Sequence, residues 1–126
     1  MPFAIRATIF LAGLLYAHGI APTDAAAQTH ATPAQGQQVI LVTGSTSGLG
    51  REVALRMGAR GAHVIVHGRD EARGLAVVEE INSGPGSARF YQADFASFDN
   101  VRSLAASILR DYDRLDFLVN NAGFGS

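Results

Sequence analysis

The sequence predicts an α/β domain built on a doubly wound parallel sheet, and three observations carry that expectation. Short runs of consecutive apolar, β-branched residues recur, as in strands buried on both faces. Between them lie segments whose apolar residues recur three and four positions apart, the mark of a helix with one buried face. Strand and helix signals alternate in the order β-α-β-α-β-α-β, with connections long enough for parallel pairing.

Residues 1–37 stand apart from this pattern. Arg6 precedes the apolar run Ala7–Ala17, no further charge occurs until Asp24, and Ala25, Ala26 and Ala27 supply small residues for cleavage. This is the shape of a secretory signal over residues 1–27, and the run is shorter than the roughly 20 residues of a membrane span. The alternatives are an uncleaved anchor, associating with a membrane through residues 7–21, or a start codon assigned too early. The protein is exported or membrane-anchored in the first two cases and cytoplasmic in the third. Residues 28–37, with Pro33 and Gly36 among Gln, Thr and Ala, read as a polar linker.

The folding part spans residues 38–126. Gln38–Thr43 is the first strand. Leu49–Arg60 is a helix with Leu49, Val53 and Met57 on one face and Gly61 placed to stop it. His63–His67 is the second strand. Asp70 caps a helix carrying Leu75, Val78 and Ile81, which ends in Asn82-Ser83-Gly84-Pro85-Gly86. Ala88–Gln92 is the third strand, and Ser97 caps a helix striped by Val101, Leu104, Ala105 and Ile108. Leu115–Asn120 is the fourth strand. It is expected to be a sheet edge with uncovered apolar residues, which favours aggregation of the isolated chain.

Composition excludes several functions. In 126 residues there are ten basic and eleven acidic side chains, a net charge of -1, and every basic residue is Arg. Without Lys there is no Schiff-base chemistry and no Walker-type phosphate loop. The even charge balance argues against a nucleic-acid partner. Without Cys there is neither a disulfide nor a thiolate metal site.

The chemistry concentrates at the first strand-to-helix turn, Thr43-Gly44-Ser45-Thr46-Ser47-Gly48-Leu49-Gly50. Gly44 permits the turn out of the strand, Gly48 lets backbone approach a ligand, and Gly50 permits close helix–strand packing. A helix N-terminus and open backbone N–H groups then face an anion such as a pyrophosphate.

This turn, with Asn120-Asn121-Ala122-Gly123 after the fourth strand, resembles the two hallmark motifs of the short-chain dehydrogenase/reductase family. The resemblance covers residues 38–126. It implies a Rossmann-type doubly wound sheet, here truncated after the fourth strand, a nicotinamide dinucleotide cofactor, and hydride transfer between an alcohol and a carbonyl. It places Gly44, Ser45, Ser47, Gly48, Leu49 and Gly50 around the pyrophosphate. Asp94 would meet the adenine amino group with the Phe95 backbone beside it, and Asn121, Ala122 and Gly123 would line the ribose side. Asp94 also reads as a simple turn carboxylate, and the two Asn residues as partners for backbone groups.

The choice of dinucleotide falls after the second strand, where an NAD site carries an acidic residue. Here stands Arg69, whose guanidinium matches a 2′-phosphate, with Ser45 as a further donor; Asp70 is assigned to the helix cap. NADP(H) is therefore favoured over NAD(H), although its scarcity outside the cytoplasm sits awkwardly with an exported chain.

Other candidates are weaker. His63 and His67, four apart without carboxylate or thiolate companions, read as strand-flanking residues and not metal ligands. Asp111, Asp113 and Asp116 near Arg110 and Arg114 read as a solvated helix end. Tyr112 is followed four residues later by Asp116, where the family's active-site pattern has Lys. The family's Tyr–Lys pair and substrate segments belong after the Asn-Asn-Ala-Gly motif, so no catalytic residue is assigned here. The expectation is the cofactor-binding part of an oxidoreductase, inactive as written. The alternatives are a catalytically inactive nucleotide-binding or interaction module, or a non-enzymatic secreted domain.

Overall fold

The computed structural model describes residues 31–123. The expected signal or anchor over residues 1–27 and the membrane contact through residues 7–21 lie outside the described residues. Among the described residues, no helix is long and apolar enough to cross a membrane.

Seven elements follow in the expected alternation: β1 (Val39–Val42), α1 (Gly48–Ala59), β2 (His63–Gly68), α2 (Glu71–Asn82), β3 (Ser87–Gln92), α3 (Phe98–Asp111) and β4 (Phe117–Val119). All strand pairs are parallel, in the order β3-β2-β1-β4. From β1 the chain steps outward through β2 to β3, then returns to the other side of β1. That reversal opens a crevice at the carboxyl ends of β1 and β4, where ligands bind in sheets of this kind.

Alternate residues of the strands feed two cores. Ile40, Val42, Val64, Val66 and Ala88 pack with Ala54 of α1 and Val77, Val78 and Ile81 of α2. Val39, Leu41 and Ile65 face the other way and pack with Leu104, Ile108 and Tyr112. The sheet is therefore covered on both faces, which is why β1 and β2 read as uninterrupted apolar runs. Both expected helix caps form: Asp70 accepts from Arg73 N at 3.0 Å and Ser97 from Asn100 N at 3.4 Å.

Two helix faces differ from the expected stripes. α1 buries Gly50, Ala54 and Gly58, while Leu49 is 73% exposed and Val53 and Met57 only flank the core. The cause is close approach: a Cβ on Gly58 would stand 2.6 Å from Ile81 Cγ2. A stripe of small residues brings α1 nearer to α2 than an apolar stripe would allow. In α3, Leu104 and Ile108 are buried but Ala105 is exposed. As expected, β4 is an edge, with Phe117 and Leu118 half exposed.

The polar residues near the start of the strands are structural. Asp116 Oδ2 accepts from Val39 N at 2.7 Å and from Arg114 Nε at 3.2 Å, so it ties β1 to β4 instead of standing in solvent. Asp111 accepts from Tyr91 Oη at 2.7 Å and pairs with Arg89 at 3.1 Å. Both His residues lie at the ends of the expected strand span, within β2, and are buried. Among the described residues, no cluster of three or more metal-ligating side chains occurs. His63 Nδ1 lies 2.7 Å from Ser87 Oγ, and Nε2 lies 2.9 Å from Tyr112 Oη. Tyr112 thus serves the opposite end of the sheet from the crevice. Burial, aided by Arg89, lowers the His63 pKa to about 4, and burial raises that of Tyr112 to about 12.

A neutral His63 contributes stability that is fully present above pH 6.5 and is lost as pH falls toward about 4. The loss amounts to about 3 kcal/mol at the lower limit. Thermal melts recorded between pH 7.5 and 4 are expected to show Tm dropping across this window; a flat profile contradicts the assignment.

Candidate functional site

The crevice is built around the end of β1. Thr43 N donates to Val119 O at 3.0 Å, and Thr43 Oγ1 accepts from the amides of Asn121 and Ala122, both at 3.0 Å. One hydroxyl thereby fixes the chain leaving β4 beside the chain leaving β1. Gly44 follows with φ +64°, a left-handed conformation that a side chain disfavours. A Cβ there would also stand 2.9 Å from Ala122 Cα.

Asn121 closes the other side of the turn. Its Nδ2 donates to the carbonyls of Thr43 (3.2 Å) and Gly44 (3.1 Å). Gly50, in the first turn of α1, packs directly beneath: a Cβ would lie 2.2 Å from Gly44 O and 2.4 Å from Asn121 Nδ2. The turn therefore leaves no room for even a methyl group. Ser47, the N-cap of α1, makes no side-chain capping bond, which leaves the first-turn amides facing outward.

These walls enclose a cavity of about 300 Å³. Of the expected site residues, Gly44, Ser47, Arg69, Asp94, Phe95, Asn121, Ala122 and Gly123 line it. Gly48 and Leu49 are exposed at the start of α1, and Gly50 is buried as packing. Ser45 is fully buried: its N donates to His67 O at 2.8 Å and its Oγ accepts from His67 N at 3.0 Å. The expectation that Ser45 reaches a 2′-phosphate is therefore corrected, because its hydroxyl is committed to β2.

Three contributors escaped the sequence reading. Thr43 organises the crossing of β1 and β4, as described above. Thr46 lines the cavity against Gly68, where a Cβ would lie 2.4 Å from Thr46 Cγ2. His67 sits in the cavity wall, its Nδ1 accepting from Gly44 N at 3.0 Å. The signal for His67 was present, since a polar residue at the end of a buried strand needs a partner nearby.

The site carries one charge of each sign, Arg69 and Asp94. The exposed Arg69 side chain makes no ion pair among the described residues. It also borders a second groove, with Thr46, Ser47, Asp70 and Arg73. Asp70 is occupied by the α2 cap and by Arg73 Nε at 3.5 Å. Asp94 accepts from Ala96 N at 2.9 Å, a turn bond that leaves its exposed carboxylate at the cavity rim. The arrangement offers backbone amides and one open guanidinium to a phosphorylated ligand, with a carboxylate at the far wall.

The family model for short chain dehydrogenases matches residues 38–126. A 3beta-hydroxysteroid dehydrogenase from Mediterraneibacter gnavus is 45% identical over 87 residues, which cover 69% of this chain and 32% of that protein. A metagenomic short-chain oxidoreductase solved in complex with NADP superposes with a TM-score of 0.67 and 38% identity, over 70% of this chain and 40% of that one. An NADH-dependent reductase responsible for alginate metabolism superposes at 0.64 with 29% identity, over 70% and 36%. The chain spans about a third of the length of the curated relatives it matches.

Gly50→Ala is expected to lower stability by about 1–3 kcal/mol, because the methyl must displace Gly44 O or Asn121. Gly84→Ala, whose methyl would meet nothing closer than 3.6 Å, is expected to change it by less than about 0.5 kcal/mol. Denaturant midpoints of the two variants check the contrast.

Proposed function

The chain belongs to the short chain dehydrogenase family, and we propose that it forms the dinucleotide-binding part of an NADP(H)-dependent oxidoreductase acting on a small alcohol or carbonyl compound. The family consists of oxidoreductases that bind a nicotinamide cofactor. The observation that carries the NADP(H) reading is Arg69, an unpaired guanidinium at the cavity rim with its neighbouring carboxylate already engaged.

The residues present fit such a group. The tight turn at Gly44, with Gly50 packed beneath it, leaves space and outward amides for a pyrophosphate. Arg69, with Thr46 and Ser47 beside it, would hold a 2′-phosphate through paired N–H donors. Asp94 and the Phe95 backbone would meet the adenine, and Asn121, Ala122 and Gly123 the ribose. When bound, the nicotinamide would supply or accept the hydride; the residues described here bind and orient it. Lys is absent from these 126 residues, and Tyr112, whose hydroxyl meets His63, is spent on packing. The Tyr–Lys pair that would carry the proton is thus not among these residues, and we assign binding without turnover to this chain alone.

A second reading of the same cleft is a nucleotide-binding module without catalytic activity. Binding of NADP(H) with no oxidation of NADPH by a panel of carbonyl compounds fits either reading; turnover by this chain excludes the second and overturns the assignment of binding alone. Arg69→Asp is expected to reverse the preference, changing the ratio of NADP(H) to NAD(H) dissociation constants by at least about tenfold. Titration calorimetry with both dinucleotides checks this, and an unchanged ratio removes Arg69 from the site.

A further inference from the structure

One buried side chain touches both turns that frame the crevice. His67 Nδ1 accepts from Gly44 N–H at 3.0 Å, and His67 Nε2 lies 3.0 Å from Ala93 O, on the turn after β3. The Phe95 ring stacks on the imidazole at 4.2 Å and 21°. An amide N–H offers only a proton and a carbonyl only lone pairs. The two bonds together therefore demand a neutral imidazole carrying its proton on Nε2.

We propose that His67 is a positioning residue which, in this one tautomer, ties the glycine turn to the Ala93–Phe95 turn and sets the spacing of the two cleft walls. The inference rests on the reading of that cleft as a dinucleotide site. Gly44 and Phe95 both line the cavity, and His67, also in its wall, touches both. A small residue would leave Gly44 N–H without its acceptor, and an apolar residue of similar size would break both ties.

The tie is sensitive to protonation. A second proton, on Nδ1, would point N–H at N–H and release Gly44 while keeping the bond to Ala93. The ionisable groups around His67 are few. His63 shares its face of β2, and Arg69 follows two residues on. On β3, Tyr91 is its register partner, and Asp94 lies on the turn beyond. β1 and the Gly44–Ser47 turn bring no charge, and the core here receives Leu104 and Ile108 of α3 and Tyr112, its C-cap. Burial lowers the His67 pKa, with the bond to Ala93 opposing, so the bridge is intact at neutral pH and opens only in acid.

The test uses the full chain, titrated from pH 7.5 downward through the His67 midpoint. The Gly44 amide resonance is expected to move with the same midpoint as the His67 imidazole. Over the same range the Kd for NADP⁺, measured by calorimetry, is expected to rise about tenfold. His67→Phe should bind about tenfold more weakly at pH 7.5 and lose that acid step. Any slope left in the variant belongs to the 2′-phosphate, and NAD⁺ measured in parallel lacks it. His67→Gln, which offers one acceptor and one donor, should recover part of the affinity without the acid step. A Gly44 amide that stays still while His67 titrates overturns the proposal, as does a His67→Phe chain with unchanged affinity and an unchanged step. If His67→Phe does not fold, the amide titration of the unsubstituted chain decides alone. Should the chain bind neither dinucleotide at any pH, the function proposed above falls, and that same amide titration still decides the role of His67.

Discussion

Gly44 is the point on which three strand ends converge, and the crevice exists because its backbone is held from both sides. Its amide donates to His67 of β2, and its carbonyl accepts from Asn121 after β4. Thr43, one residue earlier, binds the chain leaving β4 through its hydroxyl. These bonds are made by buried or half-buried groups, where an unmade partner costs more than a made one contributes. The turn consequently has one arrangement. A phosphate-binding loop built from open amides needs that fixity, since its donors must be aimed before the ligand arrives.

The same economy governs the two buried imidazoles of β2. Each sits on the face toward α3, and each has both nitrogens within hydrogen-bond distance of a polar atom. No buried side-chain polar atom lacks a partner among the described residues. At the start of the strand the partners are hydroxyls: Ser87 Oγ donates to Gln37 Oε1 and so accepts from His63 Nδ1, which leaves Nε2 to accept from Tyr112 Oη. At its end they are backbone groups of fixed polarity, so neutral His67 carries its proton on Nε2, whereas the partners of neutral His63 place its proton on Nδ1. Two residues of one kind on one strand thus play unlike parts: one completes a core, the other frames the cleft.

The alternation of strands and helices along the chain and the glycine turn were legible because their signals are local. A continuous Val-Ile-Leu-Val run has few structural options, and Gly44, Ser47 and Gly48 stand where a strand meets a helix. What the sequence concealed depends on close approach between distant segments. The α1 interface consists of Gly50, Ala54 and Gly58, residues too small to register as an apolar stripe, while Leu49 drew attention and proved exposed. Ser45 resembled a ligand donor until its neighbour across the turn was known to be β2. Asp116 looked solvated because its partner, Val39 N, is 77 positions away. Side-chain polarity is visible in a sequence, but whether a polar group is spent on the fold or left for a ligand is decided by contacts of that range.

The placement of β1 between β2 and β4 carries a consequence for how the protein is made. Its pairing with β2 closes early, but its other edge waits for a strand that arrives 77 residues later, measured from Val39 to Asp116. At about 5–20 residues per second, that interval lasts roughly 4–15 s of synthesis. Throughout it, a run of Val, Ile and Leu presents unpaired backbone to the surroundings, the composition and geometry most prone to non-native strand pairing. The nascent chain is therefore most exposed to aggregation before Asp116 and β4 emerge. Of the two inner strands, β1 is the one that waits longer for its second neighbour.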